Sequence, residues 1–259
     1  MFYPSEREKR NSLTINNQLM TFLILFFSSL AFFNLDSKGD SPQYDCYKTG
    51  SEIKIDGLID ENAWDKAQEA TFIDMDGSEP RQKTTFKWLW NDRYLYGAFY
   101  VEDDHIWAKM TERDAYLWYE NVVEFFINAD GSSKSYIEIE INPLNTILDL
   151  FVLNKHNDRS DIRQLWKWDC EGLLSAVQID GTINDESDKD SHWTFEIAIP
   201  FDQVYTAPNN PPLDGDTWYV TFTRGEGNEN PDKREASTWT PPGFHNPLSY
   251  GKLNFRTSR

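Results

Sequence analysis

Short runs of alternating or wholly apolar residues, each closed by a turn signal, constrain this chain more than any other feature. Ser135–Asn142, SYIEIEIN, alternates strictly: Ile137, Ile139 and Ile141 fall on one face, Glu138, Glu140 and Asn142 on the other. Successive side chains of a strand point to opposite faces, so this period predicts a strand with isoleucines inward and carboxylates outward. Thr84–Trp90 and Tyr94–Val101 flank Asn91–Asp92–Arg93 and read as a hairpin. Thr146–Leu153, Leu174–Ile179, Trp193–Pro200, Trp218–Arg224 and the edge strand Lys252–Phe255 are further strand-length runs. Residues 41–52 read as a lead-in strand. After it, Asp56–Gly57 marks a turn, and Asp60 is placed to cap a short helical turn that carries Trp64 inward. The fold class these runs predict is all-β: a single antiparallel β-sandwich of two sheets, jelly-roll-like, with long loops. Ten Trp, 12 Tyr and 17 Phe exceed what a sandwich core needs, which leaves aromatic rings over for binding.

The only long apolar run is Leu19–Phe33, LMTFLILFFSSLAFF, with Arg7, Lys9 and Arg10 before it. Ser29 and Ala31 are small residues suited to a cleavage point. This is the layout of a secretory signal peptide. It predicts export to the periplasm, cell surface or medium, with residues 1–40 as a targeting and flexible segment and 41–259 as one domain. An uncleaved anchor and a true start at Met20 are the alternatives. No linker, repeat or low-complexity tract follows residue 50. The net charge of −18 lies entirely beyond residue 40, because the acidic and basic residues before it cancel. Such a surface repels phosphate backbones and anionic lipid, which excludes nucleic acid and any membrane contact beyond the signal. A monomer is expected. Cys46 and Cys170 are the only cysteines, and the sequence leaves a bridge and two buried thiols equally open.

Trp118–Asn128, WYENVVEFFIN, sets one carboxylate in a short apolar strand. Val122, Glu124 and Phe126 share a face, and Trp118 stands at the strand's entrance. A flat ring beside a partly buried acceptor suits a sugar: the ring covers the C–H face while the carboxylate takes hydroxyls. The competing reading is a structural Glu paired with Arg or Lys; Arg159, Arg163 and Arg224 are the candidates. Glu102–Asp103–Asp104 reads either as a calcium-binding cluster or as a solvated loop.

Several blocks together resemble family 9 carbohydrate-binding modules and the family-9-like exported proteins. They are IDGLIDENAWDKA, FKWLWNDRYLYGAFYVED, WYENVVEFFIN, YIEIEINP, WDCEGLLSAVQIDGTIND, WTFEIAIPF and YGKLNF, in that order across residues 52–256. The resemblance implies a sandwich of two antiparallel sheets that grips a glucan or xylan chain end between two rings. Trp118 matches the first ring, Glu124 the carboxylate, and Phe244 stands where the second ring is Trp. Two departures follow: Glu140 occupies the place of an Arg on the next strand, and Phe222 the place of a polar amide on the penultimate strand. Structural calcium is implied as well, with no motif to carry its ligands over.

The function this predicts is a non-catalytic carbohydrate-binding protein acting on polysaccharide or oligosaccharide in carbohydrate catabolism. A glycoside hydrolase is the first alternative, since Glu124, Glu138, Glu140 and Asp149 offer carboxylate pairs. Among 43 acidic residues, however, some pair is inevitable. A haem b redox module is the second. Met75, Met110, His105, His156, His192 and His245 show no diagnostic spacing, and each His reads as a surface residue, so no haem is expected.

Overall fold

The computed structural model describes residues 41–156, 159–227, 235–241 and 243–258. The expected signal segment lies outside them. Fourteen strands are present among the described residues. The first five are β1 (Gln43–Lys48), β2 (Ala70–Thr71), β3 (Ile73–Asp74), β4 (Thr84–Trp90) and β5 (Tyr94–Glu102). Then come β6 (Val122–Asn128), β7 (Ser135–Ile141), β8 (Ile147–Asn154) and β9 (Ile162–Leu165). The chain closes with β10 (Leu174–Asp180), β11 (His192–Pro200), β12 (Thr217–Glu226), β13 (Glu235–Thr238) and β14 (Gly251–Arg256). The predicted strands all appear, their ends shifted by a few residues. The short β2, β3, β9 and β13 arise in stretches where the sequence pattern placed no strand.

Hydrogen bonding runs continuously in the order β10-β11-β5-β4-β1-β14-β12-β6-β7-β8-β9. The ribbon curls so that its two ends pack face to face. Trp88 of β4 stacks on Phe222 of β12 with ring centroids 5.1 Å apart, and Phe99 of β5 meets Phe125 of β6 edge-on at 5.1 Å. The β-sandwich is therefore closed by aromatic contact, which offset and edge-on rings favour over a face-to-face stack. One detail departs from a wholly antiparallel pattern. β1 runs parallel to both β14 and β4, so it ties the two halves together at the bend. Ile137, Ile139 and Ile141 point into this core as their period predicts.

The opening motif is fastened by one carboxylate. Glu196 of β11, fully buried, accepts the backbone N–H groups of Asp56 and Gly57 at 3.1 Å and the Trp64 indole N–H at 2.9 Å. Gly57 has φ 83°, and a Cβ there would stand 2.9 Å from the Val177 carbonyl carbon, so glycine is required. Trp64 turns inward as predicted. Asp60, however, caps nothing: the turn Trp64–Lys66 begins with Trp64 N–H donating to the Glu61 carbonyl at 2.9 Å. Cys46 and Cys170 are buried free thiols, and burial pushes Cys170 up to about 12.

Removing the acceptor from three buried donors carries the full desolvation penalty of each. Glu196→Ala should therefore destabilise the domain by about 3 kcal/mol or more. Urea unfolding checks this; a loss below ~1 kcal/mol would mean that the motif is held by packing alone.

Candidate functional site

The second face of β6 and β7 carries three glutamates. Glu124 pairs directly with Glu140 across the strands, and Glu138 lies two residues before Glu140, hence on the same face. Their carboxylate oxygens lie within 4.8 Å of one another. Glu138 and Glu140, expected outward, are instead buried, with 2 % and 0 % of their surface exposed. The reason is that loops fold over this face and build a second apolar layer there. Leu117, Phe126, Tyr136, Leu148, Leu150 and Tyr250 form its centre, with Trp118, Ile162, Trp166 and Phe244 packed against it.

The loop that brings Trp118 is fixed by its own motif. Glu120 accepts the backbone N–H groups of Lys109 at 2.6 Å and Met110 at 3.0 Å, and the Asn142 side-chain amide at 3.2 Å. Asn121 donates to Asp103 at 2.6 Å and to the His105 carbonyl at 3.1 Å. In WYEN, then, Glu and Asn tie the loop down, and the half-buried Trp118 faces the sheet. Its ring stacks on Tyr116 at 4.8 Å and stands 6.4 Å from Trp166. Trp166 thus joins this cluster. Trp239 is instead buried in the main core against Phe222, and Trp168 packs on Phe151.

Opposite, the loop after β13 is anchored on Phe126. Phe126 meets His245 at 5.3 Å and Phe244 at 6.3 Å, and the Tyr250 hydroxyl donates to the Phe244 carbonyl at 2.7 Å. Phe244 has φ 43°, left-handed backbone that a bulky side chain rarely adopts. A tightly pinned loop is what holds such a conformation.

Between these loops lies a cavity of about 520 Å³. The four residues singled out by sequence, Trp118, Glu124, Glu140 and Phe244, all line it. So do Glu138 and His245, which the sequence reading had placed outward and on the surface, and the carboxylates of Glu226 and Glu235. His245 Nδ1 is 2.6 Å from the Tyr136 hydroxyl and 3.8 Å from Glu138. Its position next to Phe244 was the one available signal.

Neither carboxylate oxygen of Glu140 has a hydrogen-bond partner among the described residues. Burial, then the charges of Glu124 and Glu138, push its pKa well above the usual carboxylate range, while the Trp118 backbone amide acts in the opposite direction. The arginine partners considered from sequence are placed elsewhere. Arg224, 2 % exposed, pairs with Glu226 at 2.8 Å and Asp103 at 3.6 Å. Arg163 is exposed on β9, and the Arg159 side chain lies outside the described residues. Phe222 does not face the cavity either. It sits in the core, and the β12 positions that share the face of Glu124 are Thr221, Thr223 and Gly225.

The cluster Glu102–Asp104 is held by protein donors: Arg81 grips Asp104 at 3.0 Å, Lys83 N–H donates to Glu102 at 2.9 Å, and the Trp193 indole donates to Asp103 at 3.2 Å. Carboxylates with metal-ligand spacing occur instead at the glutamate trio and at Asp114, Asp149 and Asp169. In the second group Arg113 already binds both oxygens of Asp149 at 2.7 Å.

The family model for Carbohydrate family 9 binding domain-like proteins matches residues 55–257. The chain belongs to this family. Among solved structures it is similar to a candidate carbohydrate-binding protein from Bacteroides uniformis, with 18 % identity and a TM-score of 0.65, covering 84 % of this chain and 100 % of that one. It is also similar to a family 9 carbohydrate-binding module from Caldicellulosiruptor kristjanssonii, solved with cellotriose and with glucose. Those two structures share 14 % and 13 % identity with it, each at a TM-score of 0.54, and each match covers 83 % of this chain, against 95 % and 97 % of the module. At such identities the likeness is one of fold. Comparison with curated proteins gave no match.

A carboxyl whose pKa is higher folded than unfolded supports the fold fully below its unfolded value of about 4.3. That support is lost as pH rises through the folded value. Glu140→Gln, which carries no charge to desolvate, should therefore raise the melting temperature, with a gain that grows as pH rises from 5 to 9. Thermal unfolding across that range checks it; a gain independent of pH would mean Glu140 does not titrate as its surroundings dictate.

Proposed function

We propose that this protein is a non-catalytic carbohydrate-binding module that seats a sugar ring between Trp118 and Phe244. The observation that carries this is the conjunction in one cavity of about 520 Å³ of two aromatic walls and the buried carboxylates of Glu124 and Glu140. Rings supply contact to the C–H face, and carboxylates accept hydroxyl protons, which fixes the ring's orientation. Cellotriose and glucose in the Caldicellulosiruptor module support a glucan-type ligand for this chain. The apolar segment 19–33 behind basic residues supports export, and hence capture of polysaccharide outside the cytoplasm during carbohydrate breakdown.

Binding is favoured over hydrolysis by the placement of the acids. Glycoside cleavage needs two carboxylates flanking the scissile bond, about 5 Å or more apart. Here Glu124, Glu138 and Glu140 sit on two adjacent strands and form one wall of the cavity, and the other lining carboxylates, Glu226 and Glu235, are each ion-paired with Arg81.

Calorimetric titration with xylo-, cello- and manno-oligosaccharides tests the reading. Affinity on the order of micromolar or weaker is expected from two rings and a few hydrogen bonds. Trp118→Ala should weaken it at least tenfold, about 1.4 kcal/mol. Heat that is unchanged in the variant would place the sugar elsewhere.

A further inference from the structure

We propose that Arg81, which is not among the residues lining the cavity, is the positioning residue that holds one of its walls. Capture of a neutral sugar then depends on an ion cluster beside the site. The inference rests on the carbohydrate-binding reading and extends it to a residue outside the cavity. The wall in question is the end of the β12–β13 pair: Gly225, Glu226, Glu235 and Ala236 line the cavity together. Its anchorage is short. β13 has four residues, paired with Thr223–Glu226 of β12 and at two positions with β3. The terminal pair of this ladder sets Glu226 directly opposite Glu235. Like charges in that relation work against the pairing of the strands, and a cation shared by both removes the repulsion.

Arg81 is that cation. It reaches over from the connection between β3 and β4. Its Nη2 donates to Glu226 at 2.8 Å and its Nε to both oxygens of Glu235 at 3.0 Å. Its Nη1 donates to the two oxygens of Asp104, just past β5, at 3.1 and 3.0 Å. One planar guanidinium thus joins three elements, which the point charge of a lysine does not reproduce. The base of Arg81 is itself fixed. Its neighbour Gln82, 7 % exposed, accepts from the Arg224 guanidinium at 3.0 Å and from the Asp104 N–H at 3.2 Å. Arg224 also binds the other oxygen of Glu226 at 2.8 Å, so that carboxylate keeps a cation if Arg81 is removed. Glu235 is held by Arg81 itself. Isolated surface ion pairs contribute little, but a bidentate guanidinium in a network is the exception. A binding wall has to be held to within about 0.5 Å, and it is the contacts behind the lining residues that do so.

The test is calorimetric titration of the purified protein with cellotriose, xylotriose and mannotriose at ~0.02 M and ~1 M potassium chloride. These sugars are uncharged, so salt acts on the protein alone. The parent's affinity should fall about threefold or more between the two salts as the attraction to Arg81 is screened. Arg81→Gln should bind about fivefold more weakly at low salt. It should then gain affinity as salt is added, because what salt now screens is the repulsion between Glu226 and Glu235. Arg81→Lys should fall between the two. Adding Glu235→Gln to Arg81→Gln removes the opposed charge and should restore at least half of the lost affinity, which a merely structural role would not do. Arg81→Gln binding as tightly as the parent would overturn the proposal and leave sugar binding standing. So would a parent affinity indifferent to salt, a result that needs no variant to fold. Equal losses in the single and double variants would also overturn it, since the charge would then not matter. No heat with any trisaccharide would sink both readings.

Discussion

Both faces of β6 and β7 are buried along their whole length, and the rest of the molecule follows from that constraint. One face supplies Phe125, Ile137, Ile139 and Ile141 to the core between the sheets. The other is covered by the Trp118 loop, by β9 and by the Phe244 loop. A strand whose sequence alternates apolar and charged residues is ordinarily solvated on the charged side. Covering that side converts three ordinary-looking glutamates into a dry, electronegative wall, and the gap left between the covering loops is the cavity.

Buried carboxylates serve two different ends here, and their partners distinguish them. Glu196 collects the opening motif onto β11, Glu120 collects the Trp118 loop, and Asp149 accepts Arg113 and the Cys170 N–H at 2.6 Å. Each gathers several donors and so pins a loop that has little apolar surface of its own. Glu140 has no such set. A buried acceptor without such a set of donors lowers stability rather than adding to it. That contrast was not visible in the sequence, where Glu120, Glu140 and Glu196 are all acids in or beside apolar runs.

What the sequence made legible was local. Period-two alternation located the long strands, because register and face are written in every second residue. Trp118, Glu124, Glu140 and Phe244, picked out on the family resemblance, line one cavity. What failed was the covering of a face. Glu138 and Glu140 read as outward because the loops that bury them lie 20 to 100 residues away, and no local pattern reports such docking. His245 read as a surface residue for the same reason. Phe222 was misplaced by one position of strand parity: on β12 the residue that looks across at Glu124 is Thr223, and its neighbour necessarily points into the core.

The exchange at position 140 has a consequence that reaches beyond one contact. The family resemblance implies an arginine on the strand beside Glu124. With Glu140 opposite Glu124, the charge at that pair differs by two units from that of a Glu–Arg pair. Like charges facing each other in a low-dielectric wall are relieved when one of the carboxyls holds a proton. Burial, with the charges of Glu124 and Glu138 beside it, therefore makes Glu140 the carboxyl of the three that resists ionisation, and the exchange at position 140 changes the protonation of the wall as well as its charge.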